Sequence, residues 1–547
     1  MNISRKGTFI GTTIDKVTRI LVVLLVVLVV PPAVAAQGET DWARLNIAAR
    51  EQAKTPVRAG VPDVRPFWNA HAKAFIHPPA FDFKEVKGAK AYHFVLTALD
   101  GRAGAPRPPS ARSASEPDQA WVLPKPWLPI PADVWDSLKP GYYTLRVTGA
   151  GPGVASVAGE RSFYRAAVFQ GPYPKGACDY RTAARRVYAA VYNLPQVQGW
   201  KTSDDPPKGY DLYCYPAKIM GSMIRALVRH AKATCKTSPK EADDAIRLAR
   251  KMADWLIAHS QPADAPLAHF PPTYWGDRRD VAVKNAGQNM LLYPAHAALA
   301  YLDLCVITRS DTYLVAAMDI AHTYAKLQGV DGTWPLKVRE KDGSPVRANR
   351  LVPGRYILGL FDSLVPCDAA LAPTRDRAFG YVLDGPVKTW NWDGQFEDMD
   401  PMPPYKNLQK GCAVDTALRF FAQGRVAEGC ELVDWCEDQF VVWNDPIHNM
   451  DWKHWKTPTA LEQYDYYTPI DASMGDMIGA FAAAYKATGN GLYLEKAKAI
   501  ADNITRNQRA DGTIPTYFDS RKGSDWVNCM IYVADRLEFL ADVMGEK

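Results

Sequence analysis

A segment beginning at Thr308 recurs at Thr488, and this internal repeat constrains the fold more than any other feature of the chain. The first copy reads Thr308, Tyr313-Leu314, Ala317, Ile320-Ala321, Gln328, Asp331-Gly332-Thr333 and Pro335. The second reads Thr488, Tyr493-Leu494, Ala497, Ile500-Ala501, Gln508, Asp511-Gly512-Thr513 and Pro515, at the same spacing. In each copy apolar residues at helical spacing flank a short turn. Each then ends in Asp-Gly-Thr-x-Pro, where the glycine makes a tight turn and the proline stops a helix. A degenerate copy runs from Ile219 through Trp255 and Gln261 to Pro271. A helical-hairpin unit cannot bury its apolar face alone, so repeated copies stack into an array or close into a ring.

Apolar periodicity and helix stop signals predict twelve helices after residue 178: 178–193, 216–233, 240–259, 286–307, 311–328, 353–364, 372–383, 407–422, 425–441, 470–487, 491–508 and 524–544. Twelve helices make six hairpins. With its Gln-x-x-Asp-Gly-Thr-x-Pro exits, the region 178–547 resembles the six-hairpin (α/α) toroid of the glycosidase-like superfamily. The resemblance implies a ring of inner helices backed by outer ones. It also implies an activity on carbohydrates, as in glycoside hydrolases, polysaccharide lyases and sugar epimerases.

Before residue 178 the texture is different. Arg5, Lys6, Lys16 and Arg19 precede an apolar run at 20–30 and then Pro31-Pro32-Ala33-Val34-Ala35-Ala36. This is the layout of a cleavable export leader, expected to occupy residues 1–36. The run is too short to span a bilayer, which needs about 20 apolar residues. The expected product is therefore secreted or periplasmic, with no stable membrane insertion once the leader is removed. Residues 37–74 read as a linker. From 75 to 170, alternation at Tyr92, Phe94 and Leu96, then at Tyr143, Leu145 and Val147, predicts strands broken by proline-rich loops. Phe83–Tyr92 together with Leu138–Val147 resembles a fibronectin type III domain, which implies a β-sandwich ahead of the toroid.

The net charge of +6 over 547 residues leaves no basic footprint for nucleic acid. Nine cysteines, none in Cys-x-x-Cys, are expected to be mainly buried free thiols. No phosphate-binding loop, nucleophile elbow, His-Glu-x-x-His or dinucleotide fingerprint occurs, and no cofactor or metal is expected.

Chemistry is expected where connections are long and rich in acids and rings. Inner-to-outer turns are short, as at 308–311, 423–424 and 488–491. The outer-to-inner connections 269–275, 331–350, 390–405 and 443–469 are long and loaded. Loops gathered on one face of a rigid scaffold are where sites are built. Trp390–Leu408 carries Asp393, Glu397, Asp398 and Asp400 among Trp390, Trp392 and Gln395, and Leu461–Tyr467 carries Glu462 among Tyr464 and Tyr467. Rings that cover the C–H faces of a sugar, beside carboxylates that take its hydroxyls, suit a glycan cleft. A carboxylate half-buried among rings has its pKa raised toward that of a working acid.

Asp393, Glu397 and Glu462 are the expected catalytic carboxylates. Trp390, Trp392, Gln395, Tyr464, Tyr467, His269, Tyr215, Trp334 and Arg355 are the expected sugar contacts. This reading is glycosidic hydrolysis of a poly- or oligosaccharide by an acid/base pair. A lyase cleaving uronate-containing glycans is the alternative, with Tyr464, Tyr467 or His269 as base and Asn391, Arg350 or Arg355 neutralising the carboxylate. A non-catalytic glycan-binding protein is the third. Structural duties are read at Asp471 (a Thr468-x-x-Asp capping box), at Asp331 and Asp511 (turns), at Glu437 and Asp438 (a solvated face or local pairs) and at Asp398 and Asp400 (loop amides).

Overall fold

The computed structural model describes residues 40–57, 72–99, 118–277, 279–347, 350–351, 353–354, 356–390, 392, 410–444, 455–463, 468–521 and 525–546. A helix α1 (Trp42–Gln52) precedes the strands β1 (Ala74–Phe75), β2 (Ala91–Ala98) and β3 (Gln119–Leu123). After them come the short helix α2 (Ala132–Ser137) and the strands β4 (Gly141–Gly151) and β5 (Val154–Arg165).

These strands form one five-stranded sheet in the order β1-β5-β4-β2-β3, antiparallel except for the β1–β5 pair. Two facing sheets, as the sandwich expectation required, are not found among the described residues. The alternating residues make one buried face: Tyr92, Phe94, Leu96, Tyr143, Leu145 and Val147 are all buried, as is Phe163 of β5. What covers that face is not a second sheet. Phe75 and Phe81 pack edge-on and tilted against Phe163, and Trp135 of α2 stacks on it at 6.0 Å. Three large rings supply the apolar area that an opposing sheet would otherwise provide.

Among the described residues, twelve helices of eight residues or more then follow: α3 (Tyr180–Asn193), α4 (Pro216–Thr234), α5 (Pro239–Ala258), α6 (Tyr293–Thr308), α7 (Asp311–Leu327), α8 (Ile357–Leu364), α9 (Ala372–Val382), α10 (Gly411–Ala422), α11 (Val426–Phe440), α12 (Asp471–Thr488), α13 (Gly491–Asn507) and α14 (Val527–Met544). All twelve expected helices are present. The largest boundary error is at α6, where 286–292 is partly a short strand at Gln288–Met290 instead of helix.

Helices α4, α6, α8, α10, α12 and α14 form an inner ring. α4 packs on α6, α6 on α8, α10 on α12, α12 on α14, and α14 back on α4. The α8–α10 seam is joined by Arg419, whose guanidinium donates to Asp362 at 3.2 Å. Inner helices are apolar nearly all round, as burial on every side demands: residues 216–224 of α4 are buried without a break. Outer helices α5, α7, α9, α11 and α13 each back the inner helix that precedes them. The sixth outer position is filled by α3, which packs on α14. The first and last helices of the ring thus form its sixth pair.

The repeat has a mechanical meaning. Gln328 Nε2 donates to the Gly332 carbonyl and to the Thr374 carbonyl on the next outer helix, both at 2.9 Å. Gln508 does the same with Gly512 and with Ala183 of α3, again at 2.9 Å. Asp331 and Asp511 accept from the amides of Thr333 and Thr513, so they are turn-makers as expected. Each exit therefore clasps one outer helix to its neighbour. All nine cysteines are free thiols, with Cys214, Cys305 and Cys436 buried. Among the described residues no helix is long and apolar enough to cross a membrane.

Candidate functional site

The inner helices all start on the same side of the ring, and their first two turns carry polar residues that the apolar pattern of the ring does not require. On α4 these are Lys218 and Ser222, four residues apart and therefore on one face. On α6 it is His296, on α12 Ser473 and Asp476, and on α14 Tyr532. Tyr356 and Lys410 stand immediately before α8 and α10. Lys218, Ser222, His296, Lys410, Ser473 and Asp476 are all buried polar groups, and such groups demand partners.

One sector of this mouth is aromatic. Lys218 Nζ lies 4.9 Å from the Trp526 ring, 5.4 Å from Tyr293 and 5.5 Å from Tyr215. Arg279 lies 5.8 Å from Trp526 on another approach. Tyr274 is 6.0 Å from Tyr215 and carries Lys337 at 5.9 Å. Cations over ring faces are attracted by the ring quadrupole, more strongly where water is excluded. In the next sector the His296 ring stacks on Tyr356 at 4.4 Å, and its Nε2 is 3.3 Å from Ser222 Oγ.

The third sector is a chain of proton-bearing groups. Lys410 Nζ donates to the Leu461 carbonyl and to Ser473 Oγ, both at 2.7 Å, and stands 3.9 Å from Asp476. Tyr532 OH donates to Asp476 Oδ1 at 2.8 Å, and Arg536 Nε donates to the same hydroxyl at 2.9 Å. One turn deeper the ring is filled by paired charges. Arg225 reaches Asp303 at 3.0 Å and Asp535 at 3.3 Å, and Tyr188 OH donates to Asp535 at 2.9 Å. Burial costs these charges their hydration, and mutual pairing offsets it. The arrangement is a layer of buried titratable groups over a layer of ion pairs.

Glu462 is delivered to this mouth by backbone pairing. Strand β6 (Val441–Val442) pairs antiparallel with β7 (Thr459–Ala460), and Leu461 bridges to Pro469. Glu462 N–H donates to the Thr468 carbonyl at 2.9 Å, and its side chain is half-buried. Asp471 does not form the expected capping box. The Thr468 hydroxyl accepts from Arg521 instead, and Asp471 Oδ1 accepts from Ala472 N–H at 2.7 Å. Asp471 is fully buried, and its second oxygen has no hydrogen-bond partner among the described residues. Burial, reinforced by Asp525 and Glu462 nearby, drives its pKa well above the ordinary carboxylate range.

The other expected site residues fall into three groups. Asp393, Gln395, Glu397, Arg355, Tyr464, Tyr467, Asn391, Asp398 and Asp400 lie outside the described residues. Trp334, Trp390 and Trp392 are core residues. Trp334 stacks on Phe361 and donates to the Tyr324 carbonyl, while Trp390 and Trp392 sit 5.7 and 6.3 Å from Trp435 of α11. Their ring faces are covered by protein, so they serve packing and not an open stacking platform. His269 lies against outer helix α7, 3.9 Å from Asp319, apart from the inner-helix mouth. Arg350 lies in a two-residue strand beside Trp334-Pro335. Tyr215 lies beside Lys218, 5.5 Å from its Nζ, at the mouth.

Sequence reasoning missed Lys218, Ser222, His296, Tyr356, Lys410, Asp476, Tyr532 and Trp526. The available signal was a polar residue recurring at helical spacing within a helix apolar on every side.

No family of known proteins matches the chain, and no curated protein does. Among solved structures, a D-mannose isomerase superposes with a TM-score of 0.47 at 14% identity, over 66% of this chain and 97% of that one. A family 76 glycoside hydrolase from a bovine Bacteroides thetaiotaomicron strain gives 0.44 at 11% identity, over 86% of this chain and 100% of the other. Cellobiose 2-epimerase from Spirochaeta thermophila DSM 6192 gives 0.44 at 12%, over 67% and 96%. These likenesses are distant, and the assignment of the ring stands on its own helix order and packing.

Proposed function

We propose that the chain is an exported carbohydrate-active enzyme that hydrolyses glycosidic bonds in a poly- or oligosaccharide bound at the mouth of the ring. The observation that carries this reading is the clustering of aromatic and titratable side chains in, or just before, the first turns of the six inner helices, with paired charges one turn beyond. Rings such as Tyr215 and Trp526 suit the C–H faces of a sugar, and Lys218, Ser222 and Lys410 suit its oxygens. Glu462, half-buried at the edge of the mouth, is the carboxylate proposed to act on the bond, with Asp393 or Glu397 as its partner. The leader at 1–36 is proposed to direct export, and sequencing the N-terminus of the mature protein tests it: a product retaining Met1 in membranes rules it out.

The second reading is a lyase for uronate-containing glycans, and a specific observation favours it. Tyr532 has its hydroxyl between the Asp476 carboxylate and the Arg536 guanidinium. A tyrosine so placed can relay a proton, while Lys218 and Lys410 neutralise an acidic sugar. One screen separates the readings. Purified protein is offered a panel of neutral and acidic polysaccharides, with new reducing ends and the ultraviolet absorbance of an unsaturated product read together. Reducing ends alone support hydrolysis, and both signals together support elimination. Binding with neither signal leaves a glycan-binding protein, and no binding at all ends the carbohydrate reading.

A further inference from the structure

Between the sheet and the ring lies a buried polar junction that the site described above does not use. Asp438, in the last turn of α11, accepts the backbone N–H groups of Ile76 and His77, both at 2.7 Å, and a third donor from the Gln439 amide. The Ile76 carbonyl is held from the other side by Trp135 Nε1 at 2.9 Å and Arg165 at 3.0 Å. Glu437, beside Asp438, accepts from Lys496 Nζ at 2.6 Å and from Trp443 Nε1 at 2.9 Å. Lys496 also donates to Gln52 of α1 at 2.7 Å. Glu437 and Asp438 are thus buried, not solvated as their sequence context suggested.

The junction leads directly to the mouth. α11 ends at Phe440 and continues into β6, which pairs with β7. Leu461 N–H donates to the Phe440 carbonyl at 2.8 Å, and Glu462 is the next residue. Between these parts lies a cavity of about 10 Å³, room for one water, lined by Ala74, Ala166, Asp438, Val442, Trp443 and Leu461. A packed region this dense transmits a displacement instead of absorbing it.

We infer that Asp438 is a positioning residue: by clamping the backbone at 76–77 it fixes the last turn of α11, and through β6 and β7 it sets where Glu462 stands. The consequence for turnover rests on the reading of Glu462 as a carboxylate of the mouth, whereas the mechanical coupling does not. The sheet is then a brace behind the site, and its removal acts at the opposite end of a hydrogen-bonded path.

Hydrogen exchange on the full chain tests the coupling without any substrate. Three variants are compared with the parent: Asp438→Asn, which keeps an acceptor for both amides; Asp438→Leu, which removes it; and Trp135→Phe, which removes one of the two sheet-side donors to the Ile76 carbonyl, leaving Arg165, and leaves α11 untouched. An amide left without its acceptor loses roughly 1–3 kcal/mol, about a tenfold or greater gain in local opening. Asp438→Leu and Trp135→Phe should speed exchange about tenfold at the amides of Ile76 and His77 and also at those of Val442 and Leu461. Asp438→Asn should stay near the parent. On whichever glycan the screen identifies, Asp438→Leu should lower kcat about tenfold with KM moved less than about threefold, and Asp438→Asn should restore it. Faster exchange at 76–77 with Val442 and Leu461 unchanged overturns the inference, as does an Asp438→Leu protein that exchanges uniformly faster throughout. Coupled exchange with no turnover on any glycan leaves the clamp standing and removes the enzymatic reading instead.

Discussion

Gln508 Nε2 donates to the Ala183 carbonyl at 2.9 Å, and that bond joins the end of α13 to α3 across the closure of the ring. The glycine four residues on is committed to the same seam. Gly512 has φ +89°, and a Cβ there would stand 2.5 Å from the Arg186 carbonyl oxygen. Gly512→Ala therefore meets both a left-handed backbone and a backbone clash, and should cost roughly 2–4 kcal/mol. Gln508→Ala removes one buried donor and should cost about 1–2 kcal/mol. Denaturant unfolding followed by circular dichroism measures both. A Gly512→Ala protein as stable as the parent refutes the clasp.

At the mouth, Glu462→Gln keeps shape and hydrogen-bonding reach but has no proton to lose. Turnover on the identified glycan should fall by roughly 10²–10⁴ with unfolding unchanged. Asp398→Asn and Asp400→Asn serve as controls and should retain activity within about threefold.

The tryptophans divide by position. Trp526→Ala removes a ring of the mouth and should raise KM by about tenfold, a loss of the order expected for one aromatic–cation and stacking surface, with little change in stability. Trp390→Ala and Trp392→Ala open cavities beside Trp435 and should destabilise the fold by about 3–5 kcal/mol. Comparing KM with the unfolding midpoint for all three variants decides the matter.

Stability should depend on pH through the junction, and the signs can be worked out. Asp434, one turn before Asp438 on α11, accepts from Gln52 Nε2 at 2.7 Å and from Tyr493 OH at 3.0 Å, and burial lifts both carboxyls from the ordinary value of 3.8 to about 7. The folded state therefore keeps protons that the unfolded chain has released, and stability falls as pH rises from about 4 through about 7. His77 acts in the opposite sense. Burial lowers it from 6.5 to about 4, so its contribution is lost as pH falls through that same window. Two carboxyls against one imidazole leave a net decline with rising pH. The melting temperature should be higher at about pH 5 than at about pH 7.5, with the slope reduced in Asp438→Asn and steepened in His77→Gln. A rising slope in the parent contradicts this balance.

Helix positions were legible because inner helices are apolar on every side and their ends are marked by Thr-Gly, Asp-Gly and proline. The sheet was half legible. Alternation at Tyr92, Phe94 and Leu96 reveals that one face is buried but is silent on what buries it, and Trp135 and Phe81 do so here. The Trp390–Trp392 stretch misled because an indole reads the same whether it faces sugar or Trp435. Lys218, His296 and Tyr532 were passed over for the converse reason: no local pattern distinguishes a polar side chain facing the lumen from one facing a neighbouring helix. Glu437 and Asp438 look solvated in sequence because their partners, Lys496 and the backbone at 76–77, are remote along the chain.

The pairing of α3 with α14 also sets a schedule for synthesis. α3 leaves the ribosome long before α14 is made, by roughly tens of seconds at ordinary elongation rates. Through that interval the faces of α3 and α4 that α14 will cover stay bare, and no local hairpin can shield them. The contact that seals the ring is thus among the most distant in the chain, and contacts of that kind form slowly. Nascent chains stalled before Val527 should therefore be the species that chaperones hold and proteases cut, whereas release of the last helix converts them abruptly to a resistant form.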